Sequence, residues 1–306
     1  MFESAHAPDD IAVDSNGVYF ASSGMNDAGI MNVSQVYACG LTSCATPKLL
    51  YSSAAITDLA GSGSISASGG ALYLSYTGSS ATPFGIERVS ESTGGSTYTT
   101  LAGSALGSGY TITTDAHNAY YASNTVVYGS PLTPVPATPS VIMSGLTAVT
   151  RIAVDAHYVY AADSGGNRVV ACPIVAGVPS ACGSTGYTTV ASGLPAPPSA
   201  IFSDGTNVWF GGYGGGTGSI YKCSIGNLPC GSPPAPFATG SPYDLLADAN
   251  HVYWADGKTP GVFRCPAAAP SCATPTLLVS GNPVQLAQTP TTVYWTDFSS
   301  LYALPK

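Results

Sequence analysis

Residues 245–256 read Leu245-Leu246-Ala247-Asp248-Ala249-Asn250-His251-Val252-Tyr253-Trp254-Ala255-Asp256. An apolar run ends in an aspartate, two small or polar residues follow, and a second apolar run carries an aromatic in fixed phase. Asp hydrogen-bonds its own turn and Asn tolerates positive φ, so the stretch reads as two antiparallel strands joined by a tight hairpin.

The same pattern returns along the chain, as Val18-Tyr19-Phe20, Leu72-Tyr73-Leu74, Ala119-Tyr120-Tyr121, Val159-Tyr160-Ala161, Val208-Trp209-Phe210, Val252-Tyr253-Trp254 and Val293-Tyr294-Trp295. The central aromatics are 54, 47, 40, 49, 44 and 41 residues apart. In five units the preceding run ends in Asp, at Asp14, Asp115, Asp155, Asp204 and Asp248. A second marker is an apolar residue followed two positions later by Ser or Thr and then a small residue. It occurs at Leu50-Tyr51-Ser52-Ser53, Ile142-Met143-Ser144-Gly145, Val190-Ala191-Ser192-Gly193, Phe237-Ala238-Thr239-Gly240 and Leu278-Val279-Ser280-Gly281, more loosely at Leu101-Ala102-Gly103-Ser104, and again at Phe2-Glu3-Ser4-Ala5. Self-similarity at such a period is the signature of a propeller. The expectation is one all-β domain, a seven-bladed β-propeller of four-stranded antiparallel blades, its last blade closed by the N-terminal strand. The blades span approximately 9–53, 58–104, 110–145, 150–193, 198–240, 243–281, and 285–306 plus 1–5.

Composition narrows the function. Among 306 residues, 36 Gly and 24 Pro leave little room for long helices. Only 8% of residues are charged, against roughly 25% in ordinary soluble domains, and the net charge is −8. Eight basic residues in an acidic chain lack the electrostatic footprint for nucleic acid and argue against adhesion to anionic membranes. Residues 116–150 and 169–203 carry no Asp, Glu, Lys or Arg, but Pro131, Pro134, Pro173, Pro195 and Pro197 break them, so no membrane insertion is expected. The start Met1-Phe2-Glu3-Ser4 has no signal-peptide pattern, so export implies a leader ahead of this sequence.

Eight cysteines form four short-range couples, Cys39/Cys44, Cys172/Cys182, Cys223/Cys230 and Cys265/Cys272, at equivalent places in the repeat, between the third and fourth strands. Zinc knuckles need Cys-x-x-Cys, which is absent, and the histidines lie elsewhere. Four local disulfides follow, stapling the outer hairpins of their blades and placing the protein in an oxidising compartment, secreted, periplasmic or on the cell surface. Blades two, three and seven lack such a staple and are expected to have the weaker outer strands.

Val293-Tyr294-Trp295-Thr296-Asp297 and Val252-Tyr253-Trp254-Ala255-Asp256 resemble the YWTD propeller repeat, and residues 159–169, from Val159 through Asp163-Ser164-Gly165-Gly166-Asn167-Arg168 to Val169, resemble an NHL repeat. The likeness extends to secreted bacterial propellers. It implies that Asp163, Asp256 and Asp297 are structural braces.

Function in propellers gathers where the axial channel opens and on the loops between second and third strands. Nine residues before each aromatic marker lies one equivalent position per blade: Asp10, Ser64, Thr111, Arg151, Ala200, Asp244 and Gln285. In a chain so poor in charge, Asp10, Arg151 and Asp244 at this ring suggest a polar ligand or a calcium ion held by Asp10 and Asp244, because carboxylate oxygens suit a hard cation. The alternative is that Arg151 neutralises an Asp across the ring. Among the loops, Asn26, Asp27 and Tyr213 are candidate contacts. His117, His157 and His251 fall on hairpin turns of separate blades and do not form a metal set. The glycine-rich stretch 211–218 precedes a strand, not a helix, and is no phosphate cradle. No Gly-x-Ser-x-Gly elbow or catalytic dyad stands out. The leading expectation is a secreted or cell-surface binding or scaffold propeller presenting loops to a glycan or protein partner, with no catalytic residue and no organic cofactor. The alternative is a lactonase- or lyase-like enzyme with a divalent ion at the channel mouth. A third reading is self-association into a surface layer or filament.

Overall fold

The computed structural model describes residues 8–24, 33–53, 56–58, 65–78, 85–91, 98–102, 109–133, 138–213, 218–297 and 299–306. The strands lie in seven antiparallel sheets that follow one another along the chain, over residues 8–53, 56–102, 109–143, 149–191, 198–239, 242–280 and 285–305. Within each sheet, successive strands are neighbours, so the fold is all-β, a seven-bladed propeller of four-stranded antiparallel blades. Two sheets show a fifth strand. In the second, the first strand comes in two pieces, Ile56–Asp58 and Ile65–Ser68, both paired with Ala71–Gly78, and the residues between them account for the longest repeat spacing. In the fourth, Arg168–Val175 also pairs with the short Val178–Pro179. The seventh has three described strands, Gln285–Gln288, Thr292–Thr296 and Leu301–Pro305; the expected closing strand, Phe2 to Ala5, lies outside the described residues.

The chain divides into two compact units, one of Met1–Ser123, Gly129–Ser140 and Ala287–Lys306, the other of Asn124–Tyr128 and Val141–Leu286. In each, the core sits between consecutive sheets. The first unit packs Tyr19, Val36 and Leu50 against Ile65, Leu72 and Val89. The second packs Tyr160, Val169 and Val190 against Ile201, Phe210 and Tyr221, and Trp209 and Ile220 against Leu245 and Trp254. A second strand covered on both sides buries successive residues rather than alternate ones. Val159 through Asp163 are all buried, which explains why these segments read as unbroken apolar runs.

The turn aspartate and the aromatic five residues later form a single device. Asp155 Oδ1 accepts the amides of His157 at 2.7 Å and Tyr158 at 2.9 Å, while Oδ2 accepts the Tyr160 hydroxyl at 2.8 Å. Asp115 serves Tyr120 in the same way at 2.7 Å, and Asp204 takes the indole N–H of Trp209 at 2.7 Å. The turn aspartate and the phased aromatic are thus two ends of one hydrogen-bonded hairpin, and the buried aromatic keeps its polar atom satisfied.

All four expected disulfides are present, Cys39–Cys44, Cys172–Cys182, Cys223–Cys230 and Cys265–Cys272, with Cα–Cα separations of 4.8, 6.0, 5.7 and 6.2 Å. Cys44 corrects the expectation that every couple closes between the third and fourth strands. It lies inside the fourth strand, Ser43–Ser53, because this hairpin turns tightly enough for Gly40 to pair with Ser43. Cys44 is therefore buried, in one core cluster with Cys39, Phe20 and Tyr37, and the first disulfide links two paired strands at the base of their turn. Cys182, Cys230 and Cys272 precede their fourth strands, as expected.

In the second unit the disulfides do more than staple a hairpin. The second cysteine of each couple sits where its backbone meets the outer strand of the preceding sheet: the amide of Cys182 donates to Ile142 O at 2.8 Å, Cys230 to Val190 O at 2.9 Å and Cys272 to Phe237 O at 2.7 Å. The outer strand of sheet three, which has no disulfide of its own, is joined in this way to the Cys172–Cys182 loop of sheet four.

Candidate functional site

In the first strand of five sheets a one-residue bulge falls immediately before a predicted ring position, between Pro8 and Asp10, Gly109 and Thr111, Val149 and Arg151, Pro198 and Ala200, and Pro242 and Asp244. In the second sheet the register shifts between Ile56 and Asp58. A bulge bends the strand and re-aims its side chains, so it separates two repeating sets of residues, the ring and the bulged residues. Gln285 opens the first strand of sheet seven. Ser64 lies outside the described residues, as do Asn26 and Asp27.

In the second unit the ring residues Arg151, Asp244 and Gln285 come together, all less than one tenth exposed. Arg151 Nη2 donates to Gln285 Oε1 at 3.0 Å and lies 3.7 Å from Asp244 Oδ1. Asp244 Oδ1 accepts the Leu245 amide at 3.0 Å and Oδ2 the Leu286 amide at 2.9 Å. Asp10 repeats this in the first unit, accepting Ile11 N at 2.9 Å and Ile65 N at 3.0 Å. Leu286 follows Gln285 and Ile65 follows Ser64, so each aspartate ties its own first strand to that of another sheet, one residue past the ring position. Burial pushes the Asp244 carboxyl above its usual range, opposed by Arg151 and the two amides. Thr111 is buried. Among the described residues no three or more His, Cys, Asp or Glu side chains gather as a metal set.

The braces implied by the repeat divide into two kinds. Asp163 Oδ1 accepts the amides of Thr147 and Ala148 at 2.8 and 2.9 Å, and Oδ2 takes Arg168 Nε at 2.8 Å. Asp256 Oδ2 accepts Ser241 N at 2.8 Å and the Trp254 indole at 3.1 Å, and Oδ1 the amides of Lys258 and Thr259. Both fasten the connection entering their own sheet. Asp297 instead caps its own turn, accepting from Ser299, Ser300 and the Tyr302 hydroxyl.

The bulged residues of the second unit lead to a more open site. Thr150 Oγ1 donates to Pro198 O at 2.8 Å and Ser199 Oγ to Pro242 O at 3.0 Å, each bridging to the next first strand. At the third equivalent position the hydroxyl bridge is replaced by Tyr243. Its ring is exposed and stacks on Tyr213, with centroids 4.7 Å apart and planes 27° from parallel. Ser199 Oγ, besides its bridge, accepts the Tyr213 amide at 2.9 Å and fixes the backbone there. A hydrogen bond with Tyr213 pushes the Tyr243 phenol above its ordinary value. Gly257 lies beneath the pair: a Cβ there would stand 2.6 Å from the Tyr243 ring and 2.8 Å from that of Tyr213.

Next to Gly257 along the chain, Asp256 and Lys258 belong to the lining of a cavity of about 290 Å³. Trp254, Phe263 and Pro275 form its apolar side, and Thr239, Ser241 and Thr259 are among its other lining residues. Trp254 and Phe263 are stacked, 5.7 Å between centroids and 19° between planes. Of this site sequence reasoning named Tyr213 as a contact and Asp256 as a brace. Tyr243 was detectable as the residue before a ring position where Thr150 and Ser199 stand elsewhere; nothing in the sequence singled out Ser241 or Gly257.

Neither a family model nor a curated protein matches the chain. Solved structures do, and at these identities they show the fold, that of a β-propeller. The chain is similar to streptogramin B lyase (13% identity, TM-score 0.67, 99% of this chain and 95% of that one). It is also similar to YCF48 bound to D1 peptide (11%, 0.63, 99% and 94%) and to a chain of the nidogen/laminin complex (18%, 0.54, 72% and 86%).

Proposed function

We propose that this chain is a non-enzymatic binding propeller of an oxidising, extracytoplasmic compartment, and that it recognises a glycan through the face carrying Tyr213 and Tyr243. The exposed, preorganised tyrosine pair carries this reading. Two phenol rings stacked on each other, held by a serine-anchored backbone above a glycine, offer exposed aromatic surface and hydroxyls, which suit the C–H face and hydroxyl rim of a sugar at low entropic cost. Four disulfides support the compartment, and among the described residues no helix is long and apolar enough to cross a membrane. Asp10 and Asp244 hold backbone amides with both oxygens, a structural role, so the reading places recognition on the tyrosine face and not on the ring.

A glycan array followed by calorimetry on the strongest hits tests this. Tyr213→Ala and Tyr243→Ala are each expected to weaken binding at least tenfold while leaving the melting temperature within about two degrees, as exposed substitutions do. A blank array, or binding indifferent to both substitutions, overturns the proposal.

A further inference from the structure

The chain has 19 tyrosines. Among those whose burial is described, only Tyr213 and Tyr243 are exposed, at 46% and 37%. Their rings stack with centroids 4.7 Å apart and planes 27° from parallel, and their hydroxyls are hydrogen-bonded to each other. Stacked rings joined at their hydroxyl ends set the carbons next to the oxygens, the ortho positions, over one another. Tyr158 and Tyr160 are also in ring contact, but at 5.7 Å and 46°, and Tyr160 is fully buried. The exposed pair is held in place from both sides. Ser199 Oγ accepts the Tyr213 amide at 2.9 Å, and Gly257 leaves free the space where a Cβ would stand 2.6 Å from the Tyr243 ring and 2.8 Å from that of Tyr213. Tyr213 follows the second strand of sheet five, Asn207–Gly212, and Tyr243 lies in the first strand of sheet six, Pro242–Ala247, so the contact joins two consecutive sheets of one compact unit.

We infer that Tyr213 and Tyr243 are an oxidative modification site, at which a haem peroxidase with hydrogen peroxide joins them as dityrosine, a covalent clasp between sheets five and six. The oxidised haem takes one electron from each phenol, and each phenol releases its proton to water, which reaches both rings because both are exposed. The unpaired electron of a phenoxyl radical is shared with its ortho carbons, and one such carbon from each ring contributes its electron to a new C–C bond. Each coupled carbon then loses its hydrogen as a proton while the ring oxygen takes one up, which restores two phenols. In sum the protein loses two electrons and two protons, and hydrogen peroxide is reduced to two waters. Holding the partners together before reaction favours coupling within one molecule over coupling between molecules. The chemistry suits the oxidising surroundings that four disulfides imply. It is independent of the glycan reading, because it uses the contact between the rings and not their outer surfaces.

The test treats the dilute, disulfide-intact full chain with a haem peroxidase and one equivalent of hydrogen peroxide. The expected product is a monomer lighter by two hydrogen atoms, with dityrosine fluorescence, whose digest contains one cross-linked pair joining the Tyr213 peptide to the Tyr243 peptide. That link is expected to form at least about tenfold faster in the folded chain than in the chain unfolded by urea, where nothing holds the rings together. Tyr213→Phe and Tyr243→Phe are each expected to abolish it. Both rings are exposed, so these variants keep the parent's melting temperature before oxidation and the loss is chemical, not a failure to fold. No coupling, covalent dimers in place of the internal link, oxygen addition without coupling, a link between other tyrosines, or a link that persists in either variant overturns the proposal. Equal rates in the folded and unfolded chain overturn the preorganisation on which it rests. Sugar binding is read separately by calorimetry, so failure of either idea leaves the other standing.

Discussion

At the scale of single residues, the carboxylates of this charge-poor chain hold backbone in place, and their titration has opposite signs at two sites. Burial pushes the Asp163 carboxyl up, but the amides of Ala148 and Thr147 and the Arg168 guanidinium outweigh it and hold it below the usual range. Its stabilising contribution is complete above about pH 4, the ordinary carboxylate value, and is lost as pH falls through the depressed native value. Thermal unfolding of Asp163→Asn is therefore expected to show its largest deficit near pH 7, closing below pH 4; a deficit constant with pH contradicts this. Glu91 is raised, chiefly by burial and with Asp14 adding to it, against the Asn16 amide that lowers it. Its contribution is present below the ordinary carboxylate value and lost as pH rises through the raised one. Glu91→Gln should accordingly raise the melting temperature at pH 7 and leave it unchanged near pH 3. At Asp244 the expected effect is larger: Asp244→Asn leaves Arg151 buried without its counter-charge, which costs about 3–5 kcal/mol in comparable buried pairs. A denaturant midpoint within error of the parent protein rejects the ring's structural role.

At the scale of elements, the repeat is held by backbone contacts between a disulfide loop and the sheet before it. Reduction should therefore speed amide exchange not only near each disulfide but in the outer strand of the preceding sheet. The amides of residues 141–143, Thr188–Ala191 and Ala238–Thr239 are expected to lose protection when Cys182, Cys230 and Cys272, respectively, are replaced by serine together with their partners. Protection lost solely within the sheet that owns the disulfide would show that the latch contributes nothing. The hairpin device of turn aspartate and aromatic was readable in outline from sequence, because Asp155 and Tyr160 are both conspicuous there. Their pairing was not, since a strand's pleat and the side-chain reach across the turn decide it. The bulge was invisible for a different reason: beyond the bulged residue the first strands bury successive residues, so the sequence has no clear alternation for an inserted residue to break.

At the scale of the whole molecule, composition governs behaviour in solution. With eight basic residues and a net charge of −8, the chain is expected to leave duplex DNA unshifted in an electrophoretic assay even at low salt; salt-sensitive binding in the micromolar range would contradict this. Four closed loops, each contributing about 2–3 kcal/mol in the chain-entropy account, make stability depend on oxidation. A chain this size shifts by roughly 2 °C per kcal/mol, so full reduction should lower the melting temperature by ten degrees or more, and an unchanged midpoint would show the disulfides to be dispensable.

What the sequence determined by itself is whatever repeats: seven hairpins in fixed phase, the all-β class, the disulfide couples, and the placement of Asp10, Arg151 and Asp244 at one structural position. Periodicity is a property of the chain and survives without coordinates. The tertiary structure decided what those positions do. Cys44 was drawn into a strand by the tightness of its turn, where its counterparts stay in the connection. Asp10 and Asp244 turned out to clamp backbone amides, because a carboxylate buried beside an unpaired N–H satisfies it at once. Tyr243, one bulge away, was turned outward onto Tyr213, and Ser241 was enclosed beside a saturated carboxylate with its hydroxyl unpaired. Such outcomes depend on which residues from distant repeats come within about 3 Å of each other, the range over which hydrogen bonds act, and residue order along the chain does not specify that.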